Sequence, residues 1–148
     1  MKSHYRVVVI GGGVVGASVI YHLAKFGWSD VCMLERSVLT AGSSWHAAGG
    51  IHALNADPNI SALQAYTIDL LQEIEAESGQ DIGLHMTGGL TMAGTPDRWE
   101  WLQSAYRVYQ SIGISDCRLV TPEEARELNP IMSTDGLLGG MWADREGY

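Results

Sequence analysis

Tyr5-Arg6-Val7-Val8-Val9-Ile10-Gly11-Gly12-Gly13-Val14-Val15-Gly16 decides the fold. Its first half is a short β-branched run without polar alternation, the pattern of a strand buried on both faces of a parallel sheet. The glycines after it fit G-x-G-x-x-G. Ala17 to Phe26 then places Val19, Ile20, Leu23 and Ala24 at helical spacing, and Gly27 closes that helix as its C′ residue. A second strand is expected over Val31 to Leu34, ending in Glu35, 24 positions past Gly11. Strand, glycine turn, helix, strand and acid in that order make the βαβ unit of dinucleotide binding. The expected fold class is therefore α/β, a Rossmann-type unit followed by the opening of a mixed α+β part.

Each glycine has a mechanical reason. Gly11 permits the tight turn, Gly13 lets the backbone approach a pyrophosphate, and Gly16 allows the helix to pack closely on the strand. The phosphates would lie over Gly11, Gly12, Gly13, Val14, Val15 and Gly16, at the positive end of the helix. Glu35 would accept hydrogen bonds from a ribose 2′-OH and repel a 2′-phosphate, so a free ribose is favoured over NADP, an exclusion that Arg36 softens. The competing account of Glu35 is a solvated carboxylate at a strand end. The fingerprint itself does not choose between FAD and NAD.

The charge balance narrows the partners. With 9 Lys and Arg against 17 Asp and Glu, the net charge is −8. Nucleic acid and anionic membrane surfaces are excluded as partners, because both call for clustered cations. An anionic ligand would then be held by local dipoles and backbone N–H groups. Cys32 and Cys117 lack any CxxC or Cys/His spacing, so neither a disulfide framework nor a metal site is expected. No apolar run is long enough for a membrane span. Met1-Lys2-Ser3-His4-Tyr5 leaves no room for a leader before the first strand, and a cytoplasmic protein is expected.

Past Glu35 the composition changes. Ser37 to Gly50 is expected to be a long loop of small residues, and structured loops of that length beside a nucleotide site are usually functional. It contains Gly42-Ser43-Ser44-Trp45-His46-Ala47-Ala48-Gly49-Gly50. Gly and Ser bring backbone close to a ligand and offer N–H and O–H groups to phosphate or ribityl oxygens. His46 is the one nucleophilic group in the stretch. Trp45 is expected to be a packing residue.

Val7 to Gly16, Leu34-Glu35-Arg36-Ser37 and Leu39-Thr40-Ala41-Gly42-Ser43-Ser44-Trp45-His46-Ala47-Ala48-Gly49 together resemble the N-terminal part of the dimethylglycine and sarcosine dehydrogenase family, which belongs to the D-amino-acid-oxidase-like flavoproteins. The similarity runs on to Asp144-Arg145-Glu146-Gly147-Tyr148. The resemblance implies FAD as the cofactor. It also implies that the His of the Trp-His-Ala-Ala-Gly motif, His46 here, carries FAD covalently through the 8α-methyl of the isoalloxazine. A loop histidine that merely hydrogen-bonds is the alternative.

The same resemblance implies hydride transfer from the N-methyl carbon of a small amine, of the dimethylglycine or sarcosine type, to flavin N5. It implies a folate or an electron acceptor as partner in the complete protein. It places the segments that complete the flavin site, and most groups that bind the amine, downstream of this chain, so the 148 residues alone are expected to be inactive. No residue is assigned a catalytic role, and none is assigned to a metal. Two other functions stay open: an NAD-linked dehydrogenase, which leaves Gly42 to Gly50 unexplained, and a non-catalytic module that binds flavin or adenine dinucleotide.

Beyond Asn55 ordinary elements are expected. Asp57 or Asn59 caps a helix with Pro58 in its first turn, and Ile60, Leu63, Leu70, Leu71 and Ile74 form its apolar face until Gly79. Leu84 to Met86 and Leu90 to Met92 are expected as strand segments around Gly88-Gly89, with His85 facing outward. Thr95-Pro96-Asp97 starts a helix carrying Trp99, Leu102, Tyr106 and Tyr109 as a core stripe. Thr121-Pro122-Glu123-Glu124 fits a capping box, and Leu137 to Trp142 a last strand. The expected boundary separates residues 1–78, the FAD-binding segment, from residues 79–148, the start of a substrate domain.

Overall fold

The computed structural model describes residues 2–148. They form two compact units, one running to Ala48 and the other from Gly49 to Tyr148. The expected boundary after residue 78 does not coincide with this division, because the helix before it packs within the second unit.

The first unit is a βαβ unit. β1 (Val7–Ile10) and β2 (Val31–Leu34) pair in parallel, from Val7 opposite Val31 to Ile10 opposite Leu34, and α1 (Val14–Lys25) joins them. The helix starts earlier than its apolar spacing suggests and takes Gly16 into its first turns. Its end is a Schellman motif: Gly27, at φ +83°, donates to the Ala24 carbonyl, and Trp28 donates to that of Leu23. Burial of β1 on both faces is corrected: Val7 and Val9 are half-buried, but Val8 is exposed and Ile10 is 86% exposed. One helix covers only one face of a two-stranded sheet.

The second unit opens with the segment Gly49 to Asp57 and α2 (Pro58–Ser78). The Asp57 side chain caps α2 by accepting from the Asn59 and Ile60 N–H groups, Pro58 fills the first turn, and Gly79 ends it at φ +65°. Its expected apolar face is corrected at Ile60 and Leu63, which are exposed, whereas Leu70 is buried and Leu71 and Ile74 are half-buried, and Ser61 and Ile68 are buried as well. β3 (Gly89–Ala93), β4 (Cys117–Val120) and β5 (Gly139–Ala143) form an antiparallel sheet in the order β3-β5-β4. α3 (Pro96–Ser111) and α4 (Pro122–Leu128) start at Thr95 and Thr121, the second with both halves of the capping box in place.

The core gathers Ile68 of α2, Leu102 and Tyr109 of α3, and Ala93, Cys117, Met141 and Ala143 of the sheet, with Ala53. Leu84 to Met86 forms no strand within the sheet. His85 instead exchanges backbone hydrogen bonds with Tyr148. β4 has no counterpart among the sequence expectations, because four residues with one charge carry too little period to register. Among the described residues no helix is long and apolar enough to cross a membrane, and no three His, Cys, Asp or Glu side chains gather as a metal site would require.

Candidate functional site

In the first unit the site grows from the turn between β1 and α1. Gly11 stands at φ +110°, a conformation that side chains rarely adopt. A Cβ on Gly16 would collide with the Gly11 carbonyl oxygen, so helix and turn meet at a distance only glycine allows. Gly12 is buried against Leu39 and Glu35, where a Cβ would come within 2.7 Å of Leu39 Cδ2. At Gly13 the neighbour is Ser44 Oγ, 3.1 Å from an ideal Cβ. Close approach at this turn thus involves the chain's own later residues.

Those residues are held there by hydrogen bonds. Gly12 N–H donates to Glu35 Oε2 at 2.8 Å, and Ser37 N–H donates to Glu35 Oε1 at 2.8 Å. These two amides hold the Glu35 carboxyl below the usual carboxylate range. Val14 N–H donates to Ser44 Oγ at 2.8 Å, so a hydroxyl from the following loop caps α1. Thr40 N–H donates to the Gly12 carbonyl at 2.9 Å, with Thr40 at φ +66°. A β-branched residue in that region is strained, and it serves as the anchor of the loop.

The stretch expected as plain loop contains a 3-10 turn over Ser43–His46, because Trp45 N–H turns back to the Thr40 and Gly42 carbonyls. His46 ends that turn, and its Nδ1 lies 3.0 Å from the Gly42 carbonyl oxygen. A carbonyl only accepts, so Nδ1 carries a proton, and in the neutral ring Nε2 keeps its lone pair, on a side chain open to solvent. Trp45 as a packing residue is corrected: it is 77% exposed. Arg36, Ser43, Ala47 and Ala48 are also exposed, and only Ser44 of the hydroxyl pair reaches the turn.

This arrangement fits an anionic dinucleotide. Among the described residues no chain acceptor takes the amides of Gly13, Val15 and Gly16, which stand at the positive end of α1. Glu35 still offers lone pairs beyond the two that it uses. Gly49 and Gly50 fall in the second unit, where Gly50 borders a cleft of about 530 Å³. Its walls include Ile51, His52, Gly88, Arg98 and Glu146, with the Arg98 guanidinium 4.0 Å from the centre of the Trp101 ring.

Glu146 is buried beside this cleft, and burial pushes its carboxyl above the usual range, against the bonds from Tyr109 and Ala53 that favour its charged form. Burial also raises the Tyr109 hydroxyl, and raises the Cys117 thiol to about 11. No sequence expectation singles out Thr40 or Glu146 as a functional residue. Both act through backbone bonds or buried pairing that follow no period, so no sequence signal marks them.

Residues 6–148 match the family described as DAO: FAD dependent oxidoreductase. The chain is 36% identical over 148 residues to dimethylglycine dehydrogenase, mitochondrial, of Rattus norvegicus, covering 99% of this chain and 17% of that protein. It is 33% identical to 4-methylaminobutanoate oxidase (formaldehyde-forming) of Paenarthrobacter nicotinovorans, covering 100% of this chain and 18% of the other. The L-proline dehydrogenase structure from P. horikoshii superposes with a TM-score of 0.88 over 99% of this chain and 38% of its own, at 24% identity, a likeness of fold. The chain thus spans less than a fifth of the length of these two curated relatives.

Proposed function

Because this chain belongs to the FAD dependent oxidoreductase family, we propose that the protein binds FAD at the β1–α1 turn and oxidises a small N-methylated amino acid. The observation that carries this is the hydrogen bond from Val14 N–H to Ser44 Oγ, which brings the turn bearing His46 to the N-terminus of α1. A phosphate-binding helix end and a nucleophilic imidazole on one short stretch suit a flavin better than a nicotinamide, for which the Gly42 to Ala48 loop has no use. The substrate class rests on relatives whose names specify dimethylglycine and 4-methylaminobutanoate.

Each residue has a task in this account. The free amides of Gly13, Val15 and Gly16 hold the pyrophosphate, and Glu35 accepts the ribose hydroxyls while it keeps Gly12 in place. Ser44 either shares its hydroxyl with a phosphate oxygen or yields the Val14 amide to it. The proton on His46 Nδ1, fixed by Gly42, leaves Nε2 as the atom that carries FAD. Bound FAD supplies the hydride acceptor for the N-methyl carbon. A folate or an electron acceptor completes the cycle in the whole protein.

The test is anaerobic mixing of the full-length holoprotein with dimethylglycine, sarcosine, unmethylated glycine and a nicotinamide cofactor in turn. Bleaching of the flavin by the methylated amines, faster than by glycine, supports the proposal. A flavin that none of them bleaches leaves a binding module. A protein purified with nicotinamide dinucleotide in place of flavin contradicts the proposal.

A further inference from the structure

The segment Gly50 to Leu54 forms one wall of the second unit's cleft, and buried side chains hold it at a single point. Ala53 N–H donates to Glu146 Oε1 at 3.3 Å, and the Ala53 carbonyl accepts from Ser61 Oγ at 2.7 Å. The same Glu146 oxygen accepts from the Tyr109 hydroxyl at 3.0 Å. Glu146 is 6% exposed and Tyr109 1%. A Cβ on Gly89 would overlap the Glu146 carboxylate, so β3 carries a glycine where this group lies. Two residues before Ala53, Ile51 and Gly147 exchange both backbone hydrogen bonds, at 2.8 and 2.9 Å.

These bonds divide the labour. The Ile51–Gly147 pair is regular bridge geometry between backbone groups, with glycine at the position where a Cβ would strike the His85 carbonyl oxygen. Ala53 has no such partner, and its amide depends on a carboxylate that burial makes costly to keep. A buried ionisable group survives at such a place when its oxygen meets donors from separate elements at once, here α3 and the cleft wall.

We propose that Glu146 is a positioning residue, clamping Ala53 to Tyr109 so that the Gly50–Leu54 wall stands in one place for a small amine in the cleft. The identity of that ligand rests on the function proposed above; the clamp itself does not.

The experiment uses the full-length holoprotein and two readouts, hydrogen exchange at the Ala53 amide and the KM and kcat for the methylated amine. Glu146→Ala is expected to speed Ala53 exchange about tenfold or more, as loss of a charged acceptor should. It should raise KM by a larger factor than it lowers kcat. Glu146→Gln returns a carbonyl oxygen to both donors and should restore Ala53 protection and KM. Tyr109→Phe keeps the ring and removes one anchor, and it reads the same clamp should Glu146→Ala fail to fold; faster Ala53 exchange supports the clamp.

Ala53 exchange equal to wild type in Glu146→Ala or, failing that, in Tyr109→Phe overturns it. So does Glu146→Gln behaving like Glu146→Ala. Faster Ala53 exchange with KM and kcat both unchanged overturns the positioning role. If the wild type oxidises no amine while Ala53 responds as described, the clamp stands and the proposed function falls.

Discussion

Glu35 ties the glycine turn to the start of the following loop with both oxygens of its carboxylate: Oε2 takes the Gly12 N–H and Oε1 takes the Ser37 N–H, each at 2.8 Å. The acid at the end of β2 therefore shapes the turn before any ribose arrives. Glu35→Gln has one carbonyl oxygen for two amides and would set an NH2 against the other. FAD affinity of the full-length protein is expected to fall about tenfold, with faster exchange at the Gly12 or Ser37 amide. Equal affinity and equal exchange would remove Glu35 from both roles.

Gly16 and Gly13 differ in what a methyl group would strike. Gly16→Ala drives a Cβ into the Gly11 carbonyl oxygen, which is backbone and cannot swing aside, at a cost of about 3 kcal/mol. Gly13→Ala meets Ser44 Oγ, a side chain, and should cost about 1 kcal/mol. Ser44→Ala removes the cap on Val14 at about 1 kcal/mol. It should also make Gly13→Ala milder, a coupling that a double-mutant cycle in urea denaturation would show. Additive costs would mean that Ser44 does not crowd Gly13.

Much of this architecture is legible in the sequence. The βαβ unit, the cap residues Asp57, Thr95 and Thr121, and the stop at Gly79 rest on local chemistry, which short spacings record. Burial is less legible. Ile10 and Trp45 are apolar residues that nothing in these two units covers, and hydrophobicity does not reveal which neighbour covers a residue. β4 depends on its pairing with β5, and Ala53 meets Glu146 93 residues further on, so both rest on residues far apart in sequence. At the site, spacing marks the glycines and Glu35, whereas Thr40 matters through its backbone, which no side-chain pattern announces.

Glu146 gives stability a pH dependence of definite sign. Its folded pKa lies above its ordinary value of 4.5, so the native state holds the proton more tightly than the unfolded chain does. The stability this contributes is fully present below the unfolded value and is lost as pH rises through the folded one. Glu146→Gln, neutral throughout, should lose less stability than wild type in urea midpoints as pH rises above the ordinary value of 4.5. Parallel pH profiles for the two proteins would show that Glu146 does not carry this dependence.

Cys117 should be inert. Its thiol is buried and held up at about 11, mainly by burial and then by Asp116. Iodoacetamide near neutral pH is expected to leave Cys117 unmodified in the folded protein and to label it after denaturation. Labelling of Cys117 in the native state at the unfolded rate would contradict this packing.

His46 is where the account is most exposed. With Nδ1 bound to the Gly42 carbonyl and Nε2 free, the bond to FAD should form at Nε2 and survive denaturation, when every hydrogen bond is lost. The direct measurement is the intact mass of the denatured, flavin-saturated full-length protein, beside that of His46→Ala. A gain of one FAD mass less two hydrogens, those given up by the 8α-methyl and the imidazole, is expected; it should map to the peptide with His46 and be absent from the variant, which still binds FAD reversibly through the β1–α1 turn. A wild-type mass without that gain, from protein that is fully loaded with flavin, would contradict it.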